Sequence, residues 1–216
     1  MAASFPWRAN AATVDFTFAG PGVSGAIHLT YGPSTDAKYP QAFEATAISG
    51  FFSDSNNGLN IVNASIGPLV PITHATPELG NLLAPNDFSR FAVATGLDPI
   101  SNGFLTYDNL YYPGGSPQTA SDYPGAGGIL DIYGLMFQIG GGRVVDLWSN
   151  GTFSPGGAGP IDYGVAVATA DTSLDYVSGG VSVSPEPGAF LLLGSGLLSL
   201  LFCRVLSARS RFDAKF

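Results

Sequence analysis

Positive charge is scarce in this chain and lies mostly at its ends. Between Val14 and Pro187 three basic side chains, Lys38, Arg90 and Arg143, face fifteen acidic ones, a net charge of about −12. A nucleic-acid partner is therefore not expected, because neutralising phosphates takes clustered Lys and Arg. The single cysteine, Cys203, rules out an intrachain disulfide and a cysteine-based zinc site. Charged residues make up only 11% of the chain, against roughly 25% in ordinary globular proteins. Long helical stretches of Lys, Arg, Glu and Met are missing, so right-handed parallel βαβ units have nothing to build their crossovers from. The nucleophile elbow Gly-x-Ser-x-Gly and the phosphate-binding Gly-x-x-x-x-Gly-Lys-Ser/Thr loop are also absent.

What the chain does contain is glycine (29), proline (16), and Thr, Val, Phe and Tyr. This mixture favours many short strands joined by Gly/Pro turns. A hydrophobic share of 45% is enough to bury a core, so global disorder is excluded. Residues 13–18 alternate apolar Val14, Phe16 and Phe18 with polar neighbours, and residues 26–31 alternate again beyond the Gly20-Pro21-Gly22 turn. Residues 43–52 read as a third strand. Asn57-Gly58 marks a tight turn with positive φ at both positions, ahead of a strand over 59–66. Prolines 68, 71, 77, 85 and 99 punctuate the next stretch, where one short helix is expected near 87–94 with Asp87 as its cap. Further strands are predicted over 104–112, 129–133, 135–139, 143–149, 163–170 and 174–183, with a Gly/Pro/Ser-rich loop over 113–128. No repeat of fixed period occurs. The spacing predicts an all-β fold, an antiparallel β-sandwich or open barrel with long Gly/Pro-rich loops.

Candidate chemistry is sparse. His28 stands out of phase with Ile27 and Leu29 and is expected to face water; His74 lies in a Pro-rich loop. Neither has a partner pattern that points to metal binding or catalysis. Asp54-Ser-Asn-Asn-Gly-Leu-Asn60 places hard oxygens at alternate positions, as calcium loops do, but lacks EF-hand spacing and the closing Glu, so a hairpin turn is the better reading. The many aspartates allow a carboxylate pair for glycoside hydrolysis, although turn Asp commonly bonds local backbone. Tyr107, Tyr111, Tyr112, Tyr123, Tyr133 and Trp148 are either a sugar-stacking surface or core. No metal site and no cofactor is expected.

The C-terminal segment carries the strongest signal. Residues 188–203 hold no charge, and the stretch to Leu206 has nineteen residues with one Arg near its end. At about 1.5 Å per residue it spans roughly 28 Å, enough for a transmembrane helix. Arg204, Arg209 and Arg211 follow as membrane-stop residues that remain cytoplasmic. Ser184-Pro185-Glu186-Pro187 precedes the span, held extended by two prolines. Pro-Glu-Pro, an apolar helix with an interior Gly194-x-Gly196 and an Arg-rich tail, in that order, resemble the PEP-CTERM sorting signal of Gram-negative bacteria. The resemblance covers Val183 to about Arg211. It departs in Ser184, which separates Val183 from the motif, and in Ser210, which separates two arginines. It implies an exosortase partner, a membrane cysteine transpeptidase that processes the tail at Pro185, Glu186 and Pro187, and a setting rich in exopolysaccharide. The wording of residues 130–135 and 146–151 also resembles bodies that accompany such tails.

The expected organisation is a leader remnant over 1–11, a β-rich extracytoplasmic domain over 12–183 and a sorting signal over 184–216. Residues 1–8 lack the apolar stretch of a signal peptide, yet Ala9-Asn10-Ala11 fits a cleavage site, so the missing stretch is expected upstream. The leading reading is a non-enzymatic exported protein of the cell surface or matrix, tethered to the inner membrane as a precursor. The alternatives are a carbohydrate-binding module, a secreted hydrolase and a protein merely anchored by its helix.

Overall fold

Alternating apolar residues need a face to bury, and here they find it by wrapping a sheet around itself. The computed structural model describes residues 11–33, 40–73, 89–93, 103–116, 127–152 and 159–185. Its strands are β1 (Ala12–Gly20), β2 (Val23–Tyr31), β3 (Phe43–Asp54), β4 (Ile61–Leu69), β5 (Ser89–Ala92), β6 (Phe104–Tyr107), β7 (Leu110–Tyr111), β8 (Leu135–Ile139), β9 (Arg143–Gly151), β10 (Asp162–Ala168) and β11 (Ser173–Pro185). Eight of them pair in the ring β2-β1-β11-β10-β9-β8-β4-β3, and β3 pairs back onto β2. The fold is therefore all-β and antiparallel, as expected. Of the two architectures that the sequence allows it is the barrel, and the barrel is closed rather than open. Closure removes the exposed edges that a flat sheet of this size would present.

One short 3-10 turn, Asn56–Gly58, joins β3 to β4, with φ of 51° at Asn57 and 74° at Gly58, as the Asn-Gly signal predicts. Strand directions place this turn, the Pro21–Gly22 turn and the β8–β9 and β10–β11 turns at one end, called the upper end below. The first residue of β1 and the last of β11 lie at the lower end, with the longer connections.

Inward-facing residues fill the lumen: Phe16 and Phe18 from β1, Ile27 and Leu29 from β2, Phe52 from β3, Phe137 from β8, and Val165 and Val167 from β10. An eight-stranded ring is just wide enough for such side chains to meet. Phe18 and Phe52 stack at 6.2 Å. Ala45 and Ile48 both point inward although three residues apart, because a register shift falls between Thr30 and Tyr31 of the neighbouring strand.

Strands β8, β9 and β10 are buried on both faces. Their outer residues Met136, Val144, Ala166 and Ala168 form a second core with Val93, Leu105 and Tyr107 from the β5–β6 hairpin and its flank. This corrects the helix expected over 87–94: within it, Ser89–Ala92 is a strand. Pairing of Ser89–Ala92 with Phe104–Tyr107 of β6 decides for the strand. Likewise the strand expected over 104–112 is broken at Asp108-Asn109, where Asn109 takes a φ of 55°. The break moves the chain from β6 outside the barrel to β7 beside the start of β3.

Residues 129–133, expected as a strand, run irregularly instead. They carry Leu130 into the lumen core and are held by Ile129 N donating to the Tyr163 hydroxyl at 3.0 Å. At the end of this segment Gly134 has a φ of +72°, and a Cβ there would lie 2.0 Å from the Leu147 carbonyl oxygen. Gly134→Ala is therefore expected to cost about 2 kcal/mol or more, read as a lower urea midpoint; an unchanged midpoint would contradict this packing.

Candidate functional site

Buried carboxyls are the least expected feature of a barrel with so few bases. At the upper end Asp54 of β3 and Asp175 of β11 both point inward from strands that do not pair, and meet across the mouth of the lumen. Around them Asn56 N donates to Asp54 Oδ1 at 2.8 Å. Asn56 Nδ2 donates to Asp175 Oδ2 at 2.9 Å and to the Pro21 carbonyl at 3.0 Å. Asn57 Nδ2 donates to Asp175 Oδ1 at 2.8 Å. The stretch that resembles a calcium loop is thus a clasp that ties three turns together, with side-chain amides where a cation would sit. Burial, reinforced by the Asp175 charge, pushes Asp54 up to about 6.

A second group lies under the β5–β6 hairpin and the 127–134 segment. Asp131 Oδ1 accepts the backbone N–H groups of Tyr133 (2.9 Å) and Gly134 (3.1 Å), and its Oδ2 accepts the Tyr112 hydroxyl (3.2 Å). Asp108, beside Asp131, accepts Leu110 N on its Oδ1 at 3.1 Å, while its buried Oδ2 has no hydrogen-bond partner. Burial, then the Asp131 charge, holds Asp108 well above the usual carboxylate range. Burial also raises Asp131, but its donors pull the other way. Burial, again with the Asp131 charge, raises Asp146 on β9 well above that range. Between these acids Asn109 Nδ2 donates to the Val70 carbonyl and its Oδ1 accepts Met136 N, both at 2.9 Å. The Asn109 amide thereby completes the ladder where β4 leaves β8. Among the described residues no set of three or more His, Cys, Asp or Glu side chains is arranged to hold a metal.

The tyrosines that would have made a sugar-stacking surface are core instead. Tyr107, Tyr111, Tyr112 and Tyr133 are all buried, since the hairpin and the 127–134 segment cover them; Tyr123 lies outside the described residues. Trp148 is different. It projects from the outer face of β9 and stacks on Tyr176 of β11, with ring centres 5.5 Å apart and an interplanar angle of 22°. Sequence reasoning singled out Trp148 but missed Tyr176, because their pairing depends on β10 lying between them.

Asp15, His28 and Ser49 stand opposite one another across β1, β2 and β3 on the outer face. His28 Nδ1 and Asp15 Oδ1 are 2.5 Å apart, with the two side chains 49% and 55% exposed. His28 faces water as predicted. Ser49 makes no hydrogen bond to the imidazole, and the neighbouring backbone N–H groups on these strands serve the ladder. The row has the residue types of a hydrolytic triad without a bonded nucleophile or a sheltered site.

Pro185 ends β11 and is exposed. Glu186, Pro187, Arg204, Arg209, Arg211 and His74 lie outside the described residues, as does the span expected over 188–206. Among the described residues no helix is long and apolar enough to cross a membrane. No protein-family model matches the chain, no curated protein matches it, and no solved structure matches it.

Raised carboxyls fix the sign of the pH dependence. Asp54 is protonated in the fold but ionised in the unfolded chain between its ordinary value of 3.8 and about 6. Its stabilisation is full below that window and is lost as pH rises through about 6; Asp108 and Asp146 extend the loss upward. The melting temperature should fall from pH 5 to pH 8. Asp108→Asn imitates the protonated acid and should flatten that slope, whereas Asp131→Ala strands buried donors and should cost about 2–3 kcal/mol at any pH. A melting temperature that rises from pH 5 to 8 would contradict the assignment.

Proposed function

We propose that this is an exported cell-surface or extracellular-matrix protein with a non-enzymatic barrel. A C-terminal membrane span over 188–206 first tethers it, and an exosortase then processes it at Pro185-Glu186-Pro187. The observation that carries the reading is the junction. Strand β11 stays in the ring as far as Pro185, so the motif starts where the barrel stops. A proline donates nothing to a ladder, which suits it to end a strand and leave the following peptide extended for an enzyme to bind. The contrast between an acidic body and a basic tail supports the orientation, body outside and arginines inside.

A secreted hydrolase is less well supported, because the Asp15, His28 and Ser49 row is open to water and unbonded at the serine. A membrane-anchored protein without processing makes the opposite prediction for the tail. In cells that contain an exosortase, the wild-type protein should lose the stretch after about Pro187 and leave the inner membrane. Replacing Pro185, Glu186 and Pro187 with alanine should keep the barrel folded and the tail attached, measured by intact mass and fractionation. Normal maturation of that variant, or an uncut wild-type tail, would overturn the reading.

A further inference from the structure

We propose that Trp148 and Tyr176 form a ledge on the outer face of β9, β10 and β11 that binds a neutral, β-linked polysaccharide. Glycine inside a strand gives up packing and commonly marks a close approach. Here Gly164 of β10 stands directly opposite Trp148, and a Cβ on it would fall 2.1 Å from the indole ring. The missing side chain lets the indole lie flat across β10. Its orientation is then fixed from behind. Trp148 Nε1 donates to Asn150 Oδ1 at 2.9 Å, while Asn150 Nδ2 donates to Asp162 Oδ2 at 3.1 Å and to the Ser178 carbonyl at 2.7 Å. The indole makes one hydrogen bond of its own, the other two hold Asn150 in place beside it, and the ring also packs against the second core. Tyr176, 39% exposed, is one of three large hydrophobic side chains that stand exposed among the described residues, and it extends the flat surface.

The chemistry selects the occupant. A hexose with equatorial hydroxyls presents an apolar face of C–H groups with a slight positive character, and an aromatic face is negative. Asp162 takes one donor on each oxygen, Asn150 Nδ2 and Gly180 N, which leaves carboxylate lone pairs for sugar hydroxyls at the rim. The same carboxylate, on a body of about −12 net charge, repels a polyanion. Neutral polymer is therefore favoured over an acidic one.

The ledge belongs to the barrel and does not depend on how the tail is processed, so its test is separate. The full chain is used in a sugar-free detergent, with Trp7→Phe to leave Trp148 as the only indole. It is titrated with hydroxyethyl cellulose, with laminarin and with the polyanion alginate. A saturable change in Trp148 emission is expected with at least one neutral glucan and not with alginate. Tyr176→Ala and Trp148→Ala, the latter followed by affinity electrophoresis, should each weaken binding about tenfold, the loss of one aromatic contact, with unchanged far-UV circular dichroism. No saturable response to either neutral glucan, equal binding by the folded variants, or alginate binding as tight as the glucan would each overturn the proposal.

Discussion

Ring closure is the constraint on which the rest of this structure depends. A strand leaves half its backbone groups unpaired unless it has a neighbour on each side, and β1 and β11 become neighbours only if the whole sheet curls. Curling places Val14, Phe16 and Phe18 of one end of the sequence against residues from β10 and β11 at the other, in a single lumen core. It also explains the irregularities. Register shifts in β2–β3, β3–β4, β4–β8 and β10–β11 supply the local bends. Asn109, with its positive φ and its amide bridging Val70 and Met136, repairs the ladder where an insertion of some sixty residues interrupts it.

Two sets of buried acids brace this barrel, one across the upper mouth of the lumen and one beneath the outer layer. At the upper end the side-chain amides of Asn56 and Asn57 donate to Asp175 beside Asp54; under the outer hairpin and the 127–134 segment, backbone N–H groups and a tyrosine hydroxyl converge on Asp131. In a domain with hardly any lysine or arginine, carboxyls cannot be balanced by bases. Protonation and hydrogen-bond donors do that work instead. The outcome is a fold suited to mildly acidic surroundings, consistent with its composition.

Much of the barrel was legible in the sequence. Period-two alternation located β1 and β2, and Asn57-Gly58 announced its turn correctly. Alternation failed where an outer layer was involved. The continuous apolar run of β10, Tyr163 through Ala168, buries both faces under a hairpin whose own two strands are four residues each. Nothing local in residues 87–94 distinguishes a short helix from a strand whose partner is β6. The tyrosines misled for the same reason: a Tyr in an insertion reads as exposed until the fold brings that insertion back over the sheet. The ledge was half visible, in Trp148, and its other half required knowing which strands are neighbours. The proposed sorting motif rests on sequence order, Pro-Glu-Pro, apolar span and arginines, to which the barrel adds only that β11 ends at Pro185.

The most direct measurement is amide hydrogen exchange on the intact chain, comparing β1 and β11 with β9. A closed ring predicts that the hydrogen-bonded amides of β1 and β11 are protected to a similar degree as those of β9 and exchange with them as one cooperative unit. Exchange of β1 or β11 within seconds while β9 stays protected would mean that the sheet is open there, and would contradict the account.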